Sequence, residues 1–412
     1  MRRVEEGLRF LVIVVVTACV VAGSFLAGYA AHWAEGLQAG TPAVSTQPEE
    51  GEAEGFRVFW QGWHLLQEDY YGDLPQMQDA ARSALKGVVQ SLGDPYTVVV
   101  DPKYAAILRE DMTGSFEGIG AVVRMNEAGR LEIVEVFEKQ PAAEAGLRRG
   151  DLILQVDDTP IENMNVMEAV ALIRGPEGTS VRLLVQRGKG DPFSVTLVRR
   201  KIEIPSVQTR VLERTVDGQE HLIGYIRLTD FNAAVPRQFG AALRALLSYQ
   251  PDGLILDLRG NPGGYLHVAV EVASQFVGEG AIVTERRKGG EARTFTAIPG
   301  GLATNPDLPL AVLVNMASAS ASEIVAGAVQ DSGRGVLVGE TTFGKGSVQL
   351  AYTLDDGSEL RITTARWFTP GGREIHGQGL EPDIPVEEPE EAEVDAPLEA
   401  AVAYILEKAS GR

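Results

Sequence analysis

The 412-residue chain has one cysteine, Cys19, so an intrachain disulfide is excluded, and its five histidines are too scattered to form a zinc set. Basic residues are also in deficit: 37 Lys and Arg stand against 57 Asp and Glu, a formal charge of −20. So acidic a chain repels phosphate backbones, and nucleic acid is not an expected partner. What remains is 44% hydrophobic, with 46 Gly and 21 Pro, the make-up of a globular, turn-rich protein of two or three domains. Any chemistry must come from side chains other than thiols and imidazole clusters.

The first long apolar run, Phe10 to Trp33, carries no formal charge. As a helix it would reach about 36 Å, enough to cross a bilayer. Arg2, Arg3 and Arg9 precede it and the next basic residue is Arg57, so the positive-inside rule puts the N-terminus in the cytoplasm and the rest outside. A cleaved signal peptide and a lipoprotein cut before Cys19, after Val16-Thr17-Ala18, are the rival readings. The run continues far past Cys19 and exceeds a signal core of roughly 7–15 residues, which favours an uncleaved anchor in the cell membrane. Expected organisation therefore begins with an anchor at 1–34 and a linker at 35–55 poor in large apolar side chains.

Phe56, Phe59, Trp60, Trp63 and Leu66, then Met77, Ala81, Leu85, Val88, Val89 and Leu92, recur at helical spacing. They predict a helical region over 56–113 whose aromatics belong to a core or to a homodimer contact. From Gly114 the pattern becomes short β-rich runs: 120–125, 131–137, 152–156 and 181–186. Three sequence blocks lie among them: Phe116-Glu117-Gly118-Ile119-Gly120-Ala121, Pro141 to Leu147, and Gly150 to Val156. In that order they resemble a PDZ domain, here 114–201, a partly open β-barrel or sandwich with helices. The resemblance implies that Gly118, Ile119, Gly120 and Ala121 form a loop receiving a protein C-terminus, whose last residues add to a strand edge.

Residues 202–385 alternate strands (222–228, 254–258, 310–314) with helical stretches (237–247, 268–276), an α/β layout. In such folds active groups gather where strands end and helices begin. Three junctions stand out: Asp257-Leu258-Arg259-Gly260-Asn261-Pro262-Gly263-Gly264, Ser318-Ala319-Ser320-Ala321-Ser322-Glu323, and Gly339 to Gln349. Gly339 to Lys345 fits the P-loop spacing GxxxxGK, but Gly346 stands where a Mg²⁺-binding hydroxyl belongs. The other reading is a serine hydrolase without histidine. Ser320 opening a helix could attack, and a lysine made a weaker cation by burial could take its proton. Locally, Ser320 and Glu323 also fit a capping box, and Lys345 fits a solvated turn.

Taken together, the three junctions and Leu92-Gly93-Asp94-Pro95-Tyr96-Thr97 resemble the carboxyl-terminal processing peptidases, serine proteases with an inserted PDZ domain and a crotonase-like α/β core. The resemblance runs from Trp60 to Pro382. It implies Ser320 as nucleophile, Lys345 as base and Gln349 as the residue orienting that lysine. The oxyanion would be met by the N–H groups of Ala321 and Gly263, with Asp331 in structural support. No metal or organic cofactor is implied, and the partners are protein or peptide substrates with free C-termini and, through the anchor, the membrane. A PDZ scaffold that binds peptides without cutting them is the competing reading. The end of the chain, 386–412, reads as an acidic tether followed by a helix from Pro397 to Lys408.

Overall fold

The computed structural model describes residues 52–216, 218–387 and 394–410. Among them no helix is long and apolar enough to cross a membrane, and the expected span from Phe10 to Trp33 lies outside the described residues. The chain divides into residues 1–81 and 82–412. In the first, helix α1 (Arg57–Asp69) buries Trp63 and leaves Phe56, Trp60, Leu65 and Leu66 exposed. Helix α2 (Met77–Ser91) follows the second predicted helical run. Beyond it the expected helical region departs from expectation: the β-branched triplet Val98–Val100 forms strand β1, ahead of helix α3 (Pro102–Met112).

The next elements are strands β2 (Ser115–Gly118), β3 (Ala121–Met125), β4 (Leu131–Val136), β5 (Asp151–Val156) and β6 (Thr159–Pro160), then helix α4 (Val166–Ile173). Strands β7 (Ser180–Arg187), β8 (Phe193–Val198) and β9 (Arg200–Glu203) complete the unit. Its sheet runs β3-β4-β5-β7-β8 with β6 on β5, and β2 pairs with β9 to join the two ends of the unit. The interior collects Leu131, Ile133, Ile153, Val181, Leu183 and Val185 from alternate strand positions, as a period of two requires. Asp151 is buried because Arg187 pairs with it at 2.7 Å and the Arg148 N–H donates to it at 2.9 Å, which accounts for the Gly-Asp that ends this turn.

The remaining core holds two sheets. Strands β10 (Val207–Val216), β11 (Gln219–Leu228) and β12 (Gly253–Asp257) belong to one, with helix α5 (Val235–Leu247) between the last two. After helix α6 (Leu266–Ala273) come β13 (Ala281–Arg287), β14 (Ala292–Thr296) and β15 (Leu310–Val314). Helix α7 (Ala321–Asp331) leads to β16 (Val336–Gly339), β17 (Ser347–Thr353), β18 (Glu359–Phe368) and β19 (Ile384–Pro385), and helix α8 (Ala396–Ser410) ends the chain. The first sheet runs β10-β11-β12-β15-β16-β19, parallel from β11 onward. The second is antiparallel, β1-β18-β13-β14 with β17 also on β18. Most of that sheet was not visible in the periodicity, because its strands carry mixed, half-exposed residues.

Every residue of β12 and β15 is buried, the pattern of a strand covered on both faces. Leu254, Leu256, Leu310, Val312 and Val314 join helices α5, α6 and α7 in one core. Ile255, Ala311 and Leu313 join Leu398, Ala401, Val402 and Ile405 of α8 in another. The terminal helix is thus the cover of one whole sheet face. Ile405→Ala is expected to destabilise the protein by about 2–4 kcal/mol, because Ile405 is fully buried and its loss leaves a cavity; the midpoint of urea unfolding checks this.

Candidate active site

Strand β15 ends at Val314, and the loop that follows is folded by its own side chains. The Ser318 hydroxyl accepts the Asn315 N–H at 3.0 Å and donates to the Leu258 carbonyl at 2.9 Å, while Asn315 Oδ1 accepts the N–H groups of Ala317 and Gly260, both at 3.1 Å. Ser320 is thereby placed at the head of α7 with φ 55° and ψ −111°, a left-handed backbone that costs a non-glycine residue about 1–3 kcal/mol. Gly263 makes room for it: a Cβ there would stand 2.8 Å from Ser320 Cβ and 2.9 Å from the Ala319 carbonyl.

Glu323, one turn into α7, is fully buried and accepts four hydrogen bonds. Its Oε1 takes the Thr342 hydroxyl at 2.6 Å and the Gly344 N–H at 2.7 Å. Its Oε2 takes the Ser320 N–H at 2.8 Å and the Lys345 N–H at 2.9 Å. Two backbone nitrogens bonded to one oxygen can be no farther apart than those two bonds laid end to end. One carboxylate therefore brings together the serine and lysine proposed from their motifs. Burial pushes the Glu323 carboxyl above the usual range against its four donors.

The Lys345 amine lies 5.4 Å from the centre of the Tyr96 ring. Burial, and then the charge of Arg361, push it below its ordinary value of 10.5, while Glu323 acts the other way. Among the described residues no hydrogen bond runs between Lys345 Nζ and Ser320 Oγ.

Gln349 donates to Ser347 Oγ at 2.8 Å and Thr363 Oγ1 at 3.3 Å, and its register on β17 pairs it with Thr363 on β18. The Gly263 N–H donates to Asn261 Oδ1 at 2.9 Å. The N–H groups of Ala321 and Gly264 have no acceptor among the described residues. Asn261 itself is buried and holds the two loops together, its carbonyl accepting the Ala319 N–H at 3.0 Å and the Ser322 hydroxyl at 2.9 Å. Asp331, at the far end of α7, accepts the Gly371 N–H at 2.7 Å and pairs with Arg373, which steadies the helix rather than touching the site.

The P-loop spacing is also accounted for. The Thr342, Phe343, Gly344 and Lys345 N–H groups are bonded to the Leu380 and Ser318 carbonyls and to Glu323, so this loop has no row of free donors for phosphate.

In the other domain, β3 has a partner only in β4 and is an edge of its sheet, with α4 packed beside it. The turn Gly118-Ile119-Gly120-Ala121 leads directly into that edge. Among the described residues the Ile119 and Gly120 N–H groups have no acceptor, while the Ile119 carbonyl accepts the Ala142 N–H at 2.8 Å. Gly120 has φ 75°, and a side chain there would run into Gln140.

Comparison with known proteins follows these features. The family described as peptidase family S41 matches residues 222–386, and the PDZ domain family matches residues 132–187. The carboxy-terminal processing protease CtpB of Bacillus subtilis is 34% identical over 384 residues, 91% of this chain and 78% of that one. A carboxyl-terminal-processing protease of Synechocystis is 37% identical over 355 residues, 85% of this chain and 82% of that one. Among solved structures, a photosystem II D1 C-terminal processing protease aligns with a TM-score of 0.51 at 30% identity, covering 80% of this chain and 87% of that one. A putative S41 protease from Bacteroides fragilis aligns with a TM-score of 0.53 at 17% identity over 88% of this chain and 99% of that one, a likeness of fold.

Glu323→Gln replaces one acceptor oxygen by a donor facing N–H groups. It is expected to destabilise the protein by about 2–4 kcal/mol, measured by the shift in the urea unfolding midpoint against wild type.

Proposed function

The chain belongs to peptidase family S41 and is a serine protease with a PDZ domain, and from that premise we propose that it cleaves protein chains with a Ser320–Lys345 dyad. The observation that carries the reading is the Glu323 oxygen shared by the Ser320 and Lys345 N–H groups. Neutral Lys345 takes the Ser320 hydroxyl proton as Oγ bonds to the peptide carbonyl carbon, and the carbonyl oxygen becomes an anion. The Ala321 N–H and an N–H of the Gly263–Gly264 pair receive that charge at the positive end of α7. Lys345 then protonates the leaving amine, the C–N bond breaks, and water repeats the sequence on the acyl-enzyme. The bond from hydroxyl to amine forms in the substrate complex, since such contacts are commonly long in free enzymes.

Selection of substrate rests on the PDZ edge. A C-terminal carboxylate at the Ile119 and Gly120 N–H groups, with the preceding residues paired to β3, would deliver the chain to a site of broad preference. Residues 10–33 would anchor the enzyme in the cell membrane with the protease on the extracytoplasmic side, and the exposed aromatics of α1 would serve a homodimer. Carbonate extraction of membranes holding the full chain should leave it in the pellet, whereas a chain lacking residues 1–34 should be released.

Incubating the enzyme with an unfolded protein and following fragments by mass spectrometry tests the dyad. Ser320→Ala and Lys345→Ala should each lower turnover by at least about 10³-fold while the unfolding midpoint stays near wild type. Wild-type turnover in either variant overturns the assignment, and no fragments from wild type would favour a peptide-binding scaffold. Activity should survive chelators. With the base required neutral, kcat/KM should rise with pH toward a plateau reached below the ordinary lysine value of 10.5, because burial depresses Lys345.

A further inference from the structure

The Asp94-Pro95-Tyr96-Thr97 segment precedes the PDZ domain in the chain yet lies in the protease site. Strand β1, which follows it, pairs with β18 at Val98 and Arg361, and this pairing ties the segment to the strand beside the lysine loop. Asp94 folds it: Oδ1 accepts the Tyr96 N–H at 3.1 Å and Oδ2 the Thr97 hydroxyl at 2.7 Å. The Thr363 N–H donates to Thr97 Oγ1 at 3.1 Å, and Thr363 Oγ1 accepts from Gln349 at 3.3 Å. Burial pushes the Asp94 carboxyl up, but the Thr363, Thr97 and Tyr96 hydrogen bonds and the charge of Arg366 outweigh it and hold Asp94 ionised.

The outcome of this lock is the orientation of one ring. Tyr96 meets the His376 ring edge to face at 5.9 Å and turns its own face to the Lys345 amine at 5.4 Å. Of the groups around that amine, Arg361 comes from β18 and Glu323 from α7; His376, Arg366 and Asp94 stand around the ring itself. An ammonium keeps its high pKa by hydration, so a ring covering one side of the nitrogen denies it water.

We propose that Tyr96, held by Asp94, is a positioning residue for the general base, walling one side of the Lys345 amine from water. This rests on the dyad reading and deepens it, with a role for a motif outside the three strand-to-helix junctions.

The test is the pH profile of kcat/KM, with kcat and KM separated, for the full-length enzyme on an unfolded protein substrate. Tyr96→Phe keeps the ring and should superimpose on wild type. Tyr96→Ser admits water, and its acidic limb should move to higher pH, with kcat at neutral pH falling about tenfold or more and KM changing less than about twofold. Tyr96→Leu keeps an apolar wall, so its acidic limb should stay within about 0.3 pH units of wild type. Asp94→Asn should move the limb in the direction of Tyr96→Ser by a smaller amount, and it serves if Tyr96→Ser does not fold. An unmoved limb in both Tyr96→Ser and Asp94→Asn, or a shift in Tyr96→Phe, overturns the inference. Failure of the dyad itself would appear separately, as wild-type turnover in Lys345→Ala.

Discussion

A single buried carboxylate organises the catalytic end of this protein. Glu323 has no access to water, and each of its oxygens is filled by two donors, three of the four from the loop Thr342–Lys345 and one from Ser320. An ion in such a place is tolerable only when its acceptors are satisfied, so the loop around Thr342 to Lys345 must close over the start of α7 for the fold to be stable. The same closure sets the lysine loop against the serine. Stability and geometry of the site are therefore one requirement, met by one side chain, and the left-handed backbone of Ser320 persists because its neighbours over-determine it.

A second polar network supports the opposite wall. Asp257, at the end of β12, accepts the Tyr225 hydroxyl at 2.7 Å and pairs with Arg259 at 2.7 Å; Arg259 reaches on to Asp395 at 2.8 Å, ahead of α8. Burial first, and then the charge of Asp257, push the Tyr225 hydroxyl up to about 12, so it stays a donor at any working pH. Asp395 in turn accepts the Leu398 N–H at 3.0 Å. The terminal helix is joined by this route to the Arg259–Gly264 turn, whose Gly263 lies against Ser320. Packing of α8 on the far face of the sheet and the shape of the turn on the near edge are thus coupled through buried charge.

The PDZ domain contributes an open sheet edge and a glycine turn whose N–H groups are not used internally. Its own stability comes from its interior and from the Asp151–Arg187 pair, while β3 pairs on one side only. Arg174 links the domain to α3, pairing with Asp111 at 2.7 Å and Glu110 at 3.3 Å and stacking on Phe116. Glu110 also accepts the Glu117 N–H at 2.6 Å, one position before the turn that would receive the substrate terminus.

Local pattern in the sequence was enough for the α/β alternation, strands β11, β12 and β15 of the first core sheet, the helices α1, α2 and α8, and the three junctions, because period and turn chemistry are properties of neighbours along the chain. It also singled out the junctions that carry Ser320, Lys345 and Gly263, which the fold brings close to one another. What it could not supply was contact across distance. The hydrogen bond from Gln349 to Thr363 is set by a strand pairing, and the Tyr96 ring that faces the Lys345 amine comes from a motif about 250 positions earlier. Glu323 does cap its helix by accepting the Ser320 N–H, as the capping-box pattern implied, but its three other donors are gathered only when β16 and β17 have formed. That the Asn261 amide holds the Gly263 N–H was likewise settled only by the folded turn. Periodicity and spacing determined which residues could be functional; the folded chain decided which atoms face one another, since burial and hydrogen-bond partnership are settled by segments that meet only in three dimensions.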